Sequence, residues 1–338
     1  MIFRINFLFL NGWVCQSSEK PQLQFLDHRS NEISFLNKPF TLLDGGMGQE
    51  LVKRAKNPLT PLWSADVLRD HPDLVVDVHR DFIKAGADVI TLGSYAETPT
   101  RLAKYNRQDE FKDLQKAAIN AARQACDDIE LSPLIAGNLP PLPGSYRPSE
   151  RLTSQASHDE YQHIAEQQYK HVDLFLCETM ASIEEACIST SIAMKSGLPV
   201  WTSFTVNEKD GSFLRSGELI IEAAKAVLSE GASALLINCS PPEATTQALG
   251  ELAPLAETLG AYANGFVTVE PYQGHATVDV LKSREEITPQ TYAEFAKEWL
   301  SLGTTILGGC CEIGPDHIAE ICKLREKILI SNTIQNHK

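Results

Sequence analysis

The chain alternates two kinds of segment so regularly that few folds can accommodate it. Eight short runs, nearly all apolar and rich in β-branched residues, fall at 40–44, 87–92, 133–137, 172–178, 199–204, 232–238, 261–266 and 304–307. Runs that lack in–out alternation belong to strands covered on both faces, the condition of a parallel sheet clothed in helices. Amphipathic stretches lie between them. Residues 74–85 space Leu74, Val75, Val78, Phe82 and Ile83 three and four apart, and 108–127, 160–170, 183–195, 217–229 and 292–300 read the same way. Gly86, Gly197, Gly231 and Gly303 each stand just before a strand, where the left-handed turn that ends a helix suits glycine.

Eight strand-then-helix units in roughly 290 residues predict an α/β fold, a single-domain (β/α)8 TIM barrel. An open doubly wound sheet is the alternative, and it favours a Gly-rich phosphate turn after the first strand. The turn here, Asp44-Gly45-Gly46-Met47-Gly48, is not GxGxxG and lacks the P-loop lysine. The barrel is expected over 39–330, with 331–338 as a C-terminal tail. Residues 1–38 read as an N-terminal extension, disordered or a mis-assigned start. Their apolar run is broken by Asn11 and no small-x-small cleavage site follows, which argues against a secretory leader. The stretch 138–157 reads as a long loop after strand three, on the side where barrels carry active sites.

The unusual polar residues converge on this frame. Asp44 ends strand one, Glu178 strand four, Asn238-Cys239 strand six and Asn264 strand seven, while Gly308-Gly309-Cys310-Cys311 follows strand eight. In a barrel these strand ends ring one mouth. Three thiolates there suit Zn2+ with a fourth position left open, so Cys239, Cys310 and Cys311 are the predicted ligands. An iron–sulfur cluster usually needs a fourth cysteine. Cys177 is the candidate, but it neighbours Glu178 and so faces the other side of its strand. Cys126 and Cys187 read as core on helix faces, Cys322 lies in the last helix, and His317 belongs to that helix's start rather than to the metal. Glu178 closes the apolar run VDLFLC, and a buried carboxylate wants a cation, which the ammonium of a small substrate would supply. The amides of Gly45 and Gly46 suit that substrate's carboxylate, because no side chain obstructs approach. Acid, amide turn and open thiophilic metal together describe a pocket for an amino acid bearing a thiol.

Composition excludes other classes. With 30 basic against 44 acidic residues the net charge is −14, which repels phosphate backbones and disfavours nucleic acid as a partner. From residue 39 on, no segment approaches the ~18 continuous apolar residues of a membrane span. Eight cysteines in 338 residues are too few for a disulfide scaffold, so a reducing compartment, the cytoplasm, is expected.

The segments LLDGGMGQEL, GADVITLGSY, LFLCET, PVWTSF, LLINCS and GGCCEIGPDHI, in this order across about residues 40–325, resemble the homocysteine S-methyltransferase family. The resemblance implies a (β/α)8 barrel with zinc on Cys239, Cys310 and Cys311. It also implies that Asp44 and Glu178 hold homocysteine, that the Gly45-Gly46 turn takes its carboxylate, and that Asn238 and Asn264 lie near the pocket. Methyl transfer to homocysteine from a small donor would follow, with S-methylmethionine favoured, S-adenosylmethionine next and betaine possible. The alternatives are another thiol or selenol acceptor, or a zinc-bearing thiol sensor without turnover. GNLPPLPGSYRP stands where the family more often has GSxGPYG, and TLGSY where it often has TNTY, so the donor side is where this chain departs most. Nothing in the sequence fixes an oligomeric state.

Overall fold

The structure is a computed structural model that describes residues 38–336 except 56–59, 63, 128, 130–132 and 273–276. The expected extension thus lies, but for Lys38, outside the described residues.

Eight parallel strands form one sheet: β1 Thr41–Leu42, β2 Val89–Thr91, β3 Leu134–Leu139, β4 Leu174–Met180, β5 Val200–Phe204, β6 Ala234–Asn238, β7 Leu259–Tyr262 and β8 Ile306–Leu307. Neighbours run in the order β1-β8-β7-β6-β5-β4-β3-β2, and a parallel bridge from Leu43 to Val89 joins the two edges into a ring. Helices interleave with the strands, so the (β/α)8 expectation holds. Side chains alternate across the wall. Leu43, Val89, Leu174, Leu176, Leu236 and Ile306 pack inside the ring, while Cys177 packs outward beneath the helices. Local chemistry accounts for the helices. Pro72–Lys84 opens on a proline and Asp73 and buries Val75, Val78, Phe82 and Ile83 along one face.

Three boundaries differ from the sequence reading. The seventh strand starts before residue 261 because Gly260 belongs inside it. A Cβ there would lie 2.4 Å from Leu236 Cγ, so the glycine is demanded by packing across the wall rather than marking a break. The strand also stops at Tyr262, leaving Asn264 in the following turn. The third loop is shorter than 138–157, because β3 runs on to Leu139 and the helix Ser154–Gln168 starts within it, capped by Thr153 Oγ1 accepting from Ala156 N–H at 3.3 Å. The last helix spans Pro315–Asn336 and so continues through most of 331–338.

Carboxylates pin the floor of the ring, at the N-terminal ends of the strands. Asp88 accepts the Leu42 N–H at 2.8 Å, the Lys38 ammonium at 2.6 Å and the Arg325 guanidinium from the last helix. Asp173 accepts the Ile135 N–H at 2.8 Å. Among the described residues no helix is long and apolar enough to cross a membrane.

Candidate metal and substrate site

Opposite the floor, the C-terminal strand ends open into a cavity enclosing about 930 Å3 between atoms, its open mouth included. Asp44, Gly45, Gly46, Glu178, Cys239, Cys310 and Cys311 all line it.

The three sulfurs lie within 4.8 Å of one another, and Cys239 Sγ is 3.7 Å from Cys311 Sγ. Sulfurs sharing one tetrahedral zinc at about 2.3 Å each would stand about 3.8 Å apart. The donor set therefore fits a thiophilic metal without rearrangement of the chain. The local electrostatics agree. Contact with Cys310 and Cys311 holds Cys239 well below the ordinary thiol range, and contact with Cys239 pushes both of them up.

Backbone strain gathers here. Cys239 has φ 47°, Thr179 after Glu178 has 62°, Tyr146 has 63° and Glu312 after Cys311 has 68°. These are four of the five non-glycine residues with positive φ among those described, a clustering typical of functional sites. Hydrogen bonds hold the strained turns. Asn238 Oδ1 accepts the Thr179 N–H at 2.9 Å and the Ser203 hydroxyl at 2.8 Å, while its Nδ2 donates to Thr179 Oγ1 at 2.8 Å. Glu312 accepts from Gln49 at 3.0 Å and Ser283 at 2.7 Å, tying the Cys310-Cys311 turn to the helix Met47–Ala55.

The carboxylates form the other half of the site. Asp44 is 4% exposed and accepts the Thr91 N–H at 2.8 Å and its hydroxyl at 3.2 Å. Glu178 is 8% exposed and accepts from Asn138 Nδ2 at 2.8 Å and more weakly from the Tyr262 hydroxyl at 3.5 Å. Burial pushes Asp44 up to about 7. Burial, then the negative charges of Cys239 and Asp44, push Glu178 up to about 8. Among the described residues no basic side chain pairs with either acid, so the site has room for a cation that the protein does not supply.

Some expected residues play other parts. The Gly46 N–H donates to Ile313 O at 2.9 Å and is not open to a ligand. What Gly46 provides is closeness, since a Cβ would lie 2.5 Å from Cys310 O. Among the described residues the N–H groups at this edge with no backbone acceptor are those of Gly45, Gly48 and Gln49, the last two in the first turn of Met47–Ala55, where a helix offers none. Asn238 is wholly buried and does not line the cavity; its amide is shared among Thr179, Ser203 and, at 4.0 Å, Cys310 Sγ, so it supports the sulfur cluster from behind. Asn264 is also wholly buried away from the cavity, accepting from the Phe266 N–H at 3.2 Å. His317 starts the last helix, with its ring nitrogens against Gly314 N–H and Ile287 O.

Sequence reasoning missed Tyr146. Its hydroxyl is 2.8 Å from Cys239 Sγ, and its ring lies under the Arg215 guanidinium at 4.7 Å and edge-on to Tyr272 at 6.1 Å. It sits in the loop after β3, where Pro-Gly-Ser-Tyr announces a turn but not the direction its tyrosine takes. Tyr95, in the loop after β2, was missed for the same reason; Asn138 in β3 and Tyr262 at the end of β7 also line the cavity and were missed although they stand on strands.

The family model described as homocysteine S-methyltransferase matches residues 41–325. Homocysteine S-methyltransferase YbgG of Bacillus subtilis is 28% identical over 84% of this chain and 93% of its own length. A selenocysteine methyltransferase of Astragalus bisulcatus is 27% identical over 84% and 91%. The solved structure of the Escherichia coli homocysteine methyltransferase MmuM in its metallated form superposes with a TM-score of 0.71 at 26% identity, covering 86% of this chain and 98% of that one.

Proposed function

Since this chain belongs to the homocysteine S-methyltransferase family, we propose that it moves a methyl group from a small sulfonium donor, S-methylmethionine before S-adenosylmethionine, to the thiol of L-homocysteine, forming methionine. The observation that carries this reading is the meeting, in one cavity, of three clustered thiols with two buried carboxylates that have no cation of their own.

Cys239, Cys310 and Cys311 would hold zinc, and their chemistry as a soft, three-sulfur set with one side open to the cavity is what favours it. Zinc in such a site supplies the positive charge that keeps a bound thiol deprotonated near neutral pH. The protein's own residues do the rest. Tyr146 donates its hydroxyl to Cys239 and fixes that sulfur's direction. Asp44 and Glu178 take the ammonium of homocysteine, and its charge draws both carboxyls back to their ionised forms. The Gly48 and Gln49 N–H groups face the substrate carboxylate, which a helix N-terminus also favours electrostatically. Held at both ends, the amino acid presents its sulfur along one line. That sulfur bonds the methyl carbon as the donor's carbon–sulfur bond breaks, and the leaving thioether carries away the electron pair. The homocysteine sulfur reacts as the thiolate, so no base need act at this step. Alignment of the two reactants contributes several kcal/mol or more. Tyr95, Tyr146 and Tyr272 line the cavity, and an aromatic wall suits a sulfonium.

The test is methionine formation by zinc-quantified protein from homocysteine, with S-methylmethionine, S-adenosylmethionine and betaine supplied separately. Turnover with a sulfonium donor supports the reading, and turnover with betaine alone redirects it. Absence of turnover with all three, at full metal loading, sinks it. A selenol acceptor is the second reading, favoured by the likeness to the selenocysteine methyltransferase, and the same assay with selenocysteine or selenohomocysteine separates it.

A further inference from the structure

A second cavity of about 560 Å3, open to solvent, adjoins the first, and Tyr272 and Val278 line both. Its wall carries Arg101, Lys104 and Arg147. Three cations in one cleft are conspicuous in a chain of net charge −14. Arg101 donates only to main-chain oxygens, Tyr95 O at 3.2 Å and Pro141 O at 2.6 Å, and its Nε is buried with no hydrogen-bond partner. Lys104 reaches Pro143 O at 2.9 Å. Among the described residues neither has a carboxylate within ion-pair distance. Arg147 has Glu150 at 3.2 Å and also donates to Tyr272 O at 3.2 Å. Glu97, Glu160 and Glu185 feel Arg101 as well, but burial pushes all three upward and blunts what they offset. The cleft thus holds more positive charge than it neutralises.

Its position gives that charge a use. Arg147 directly follows Tyr146, whose hydroxyl touches Cys239, and its guanidinium lies 5.6 Å from the centre of the Tyr272 ring that separates the cavities. Tyr272 and Val278 are where the two cavities meet, so a donor with its methyl at the sulfur cluster would have to run past Tyr272 to bring its tail to this cleft. Resting on the reading of the main cavity as a methyl-transfer site, we propose that Arg101, Lys104 and Arg147 form an anion subsite that takes the carboxylate of the methyl donor. Carboxylates pair with guanidinium and ammonium groups through short charge-assisted bonds. The subsite also selects by length. Betaine carries its carboxylate one methylene from its charged nitrogen and stays inside the mouth, whereas S-methylmethionine carries it at the end of a longer tail.

The experiment compares S-methylmethionine with its methyl ester, which keeps the sulfonium and removes the anion. In the natural protein the acid is expected to bind roughly tenfold tighter than the ester, the scale of one charge-assisted bond. Lys104→Met, at an exposed position, and Arg147→Gln are each expected to erase most of that preference. They should raise the donor KM roughly tenfold while kcat, homocysteine KM and metal content hold, and Lys104→Arg should restore the preference. Calorimetry on metal-loaded protein reads the acid–ester preference without turnover, so it tests the subsite even if no methionine forms. Absence of methionine formation would refute the transfer reading. Equal binding of acid and ester by the natural protein, no binding of either, or an undiminished preference in both variants overturns the subsite.

Discussion

The two ends of the barrel bury carboxylates in opposite ways. On the floor, Asp88 is 6% exposed and enclosed by Lys38, Arg325 and the Leu42 N–H, its charge answered from within the fold. At the mouth, Asp44 and Glu178 are equally buried and receive hydrogen bonds from neutral groups alone. A buried ion whose partner is built in serves the fold, whereas one whose partner is left out leaves a place for a ligand. What singles out Asp44 and Glu178 is that they go without a built-in cation while lining the cavity, as the proposed function requires of acids that await a substrate cation.

The comparison can be broken in five places. The largest effect is expected at the mouth's sulfur cluster, where Cys310→Ser should abolish both metal content and methyl transfer while circular dichroism stays native. Bound metal and full activity in this variant would remove the metal assignment. Next comes the floor. Arg325→Met leaves Asp88 short of a buried partner and should cost about 3–5 kcal/mol in urea unfolding. Activity per folded molecule should stay unchanged; a mouth-like loss of substrate affinity here would erase the distinction. Third, Glu178→Gln should leave metal content intact and weaken homocysteine binding by about 2 kcal/mol, the scale of a hydrogen-bonded charge, read by calorimetry.

The fourth is pH. Asp44 and Glu178 sit near 7 and 8 when folded, against ordinary values near 4. The folded state therefore retains protons that the unfolded chain has already released, and the associated stability is fully present below pH 4. It is lost as pH rises through 7 and 8. Ligand-free protein should weaken between pH 5 and pH 8 by several kcal/mol, on the order of 6 if both shifts act in full. Homocysteine should reverse part of that loss, and Glu178→Gln should flatten the profile. The smallest effect is expected from Tyr146→Phe, about tenfold in metal affinity by competition with a chelator.

Much of this was legible in the sequence, for reasons that also explain what was not. Strands buried on both faces leave apolar runs, so eight runs with glycine stops predict the ring. Acids at the ends of those runs are conspicuous because a core does not tolerate an unpaired carboxylate, and cysteines there because three of them converge on one mouth; Asp44, Glu178, Cys239, Cys310 and Cys311 do share one cavity. Gly260 misled the placement of β7, since a glycine needed for contact with Leu236 has the same letter as one that ends a strand. Gly46 lines the site but its N–H turns to Ile313, and Asn238 reaches the site only from behind, through Thr179, Ser203 and Cys310; a partner choice of that kind is decided in three dimensions. Tyr146 was hidden because a loop has no periodicity from which to infer direction.

The ring closes where its first and last strands meet, and the pieces of the site are spread along the whole sequence with that closure. Asp44 follows β1, Cys239 follows β6, and Cys310 and Cys311 follow β8. During synthesis, then, a chain that has emerged only through β7 offers a single mouth thiol, which holds metal poorly alone. The contacts that bring β8 against β1 are among the longest-range in the molecule and belong to the slow part of folding. Under the proposed metal assignment, capture would wait until the barrel is complete, and metal retention would report on whether an individual molecule has finished folding.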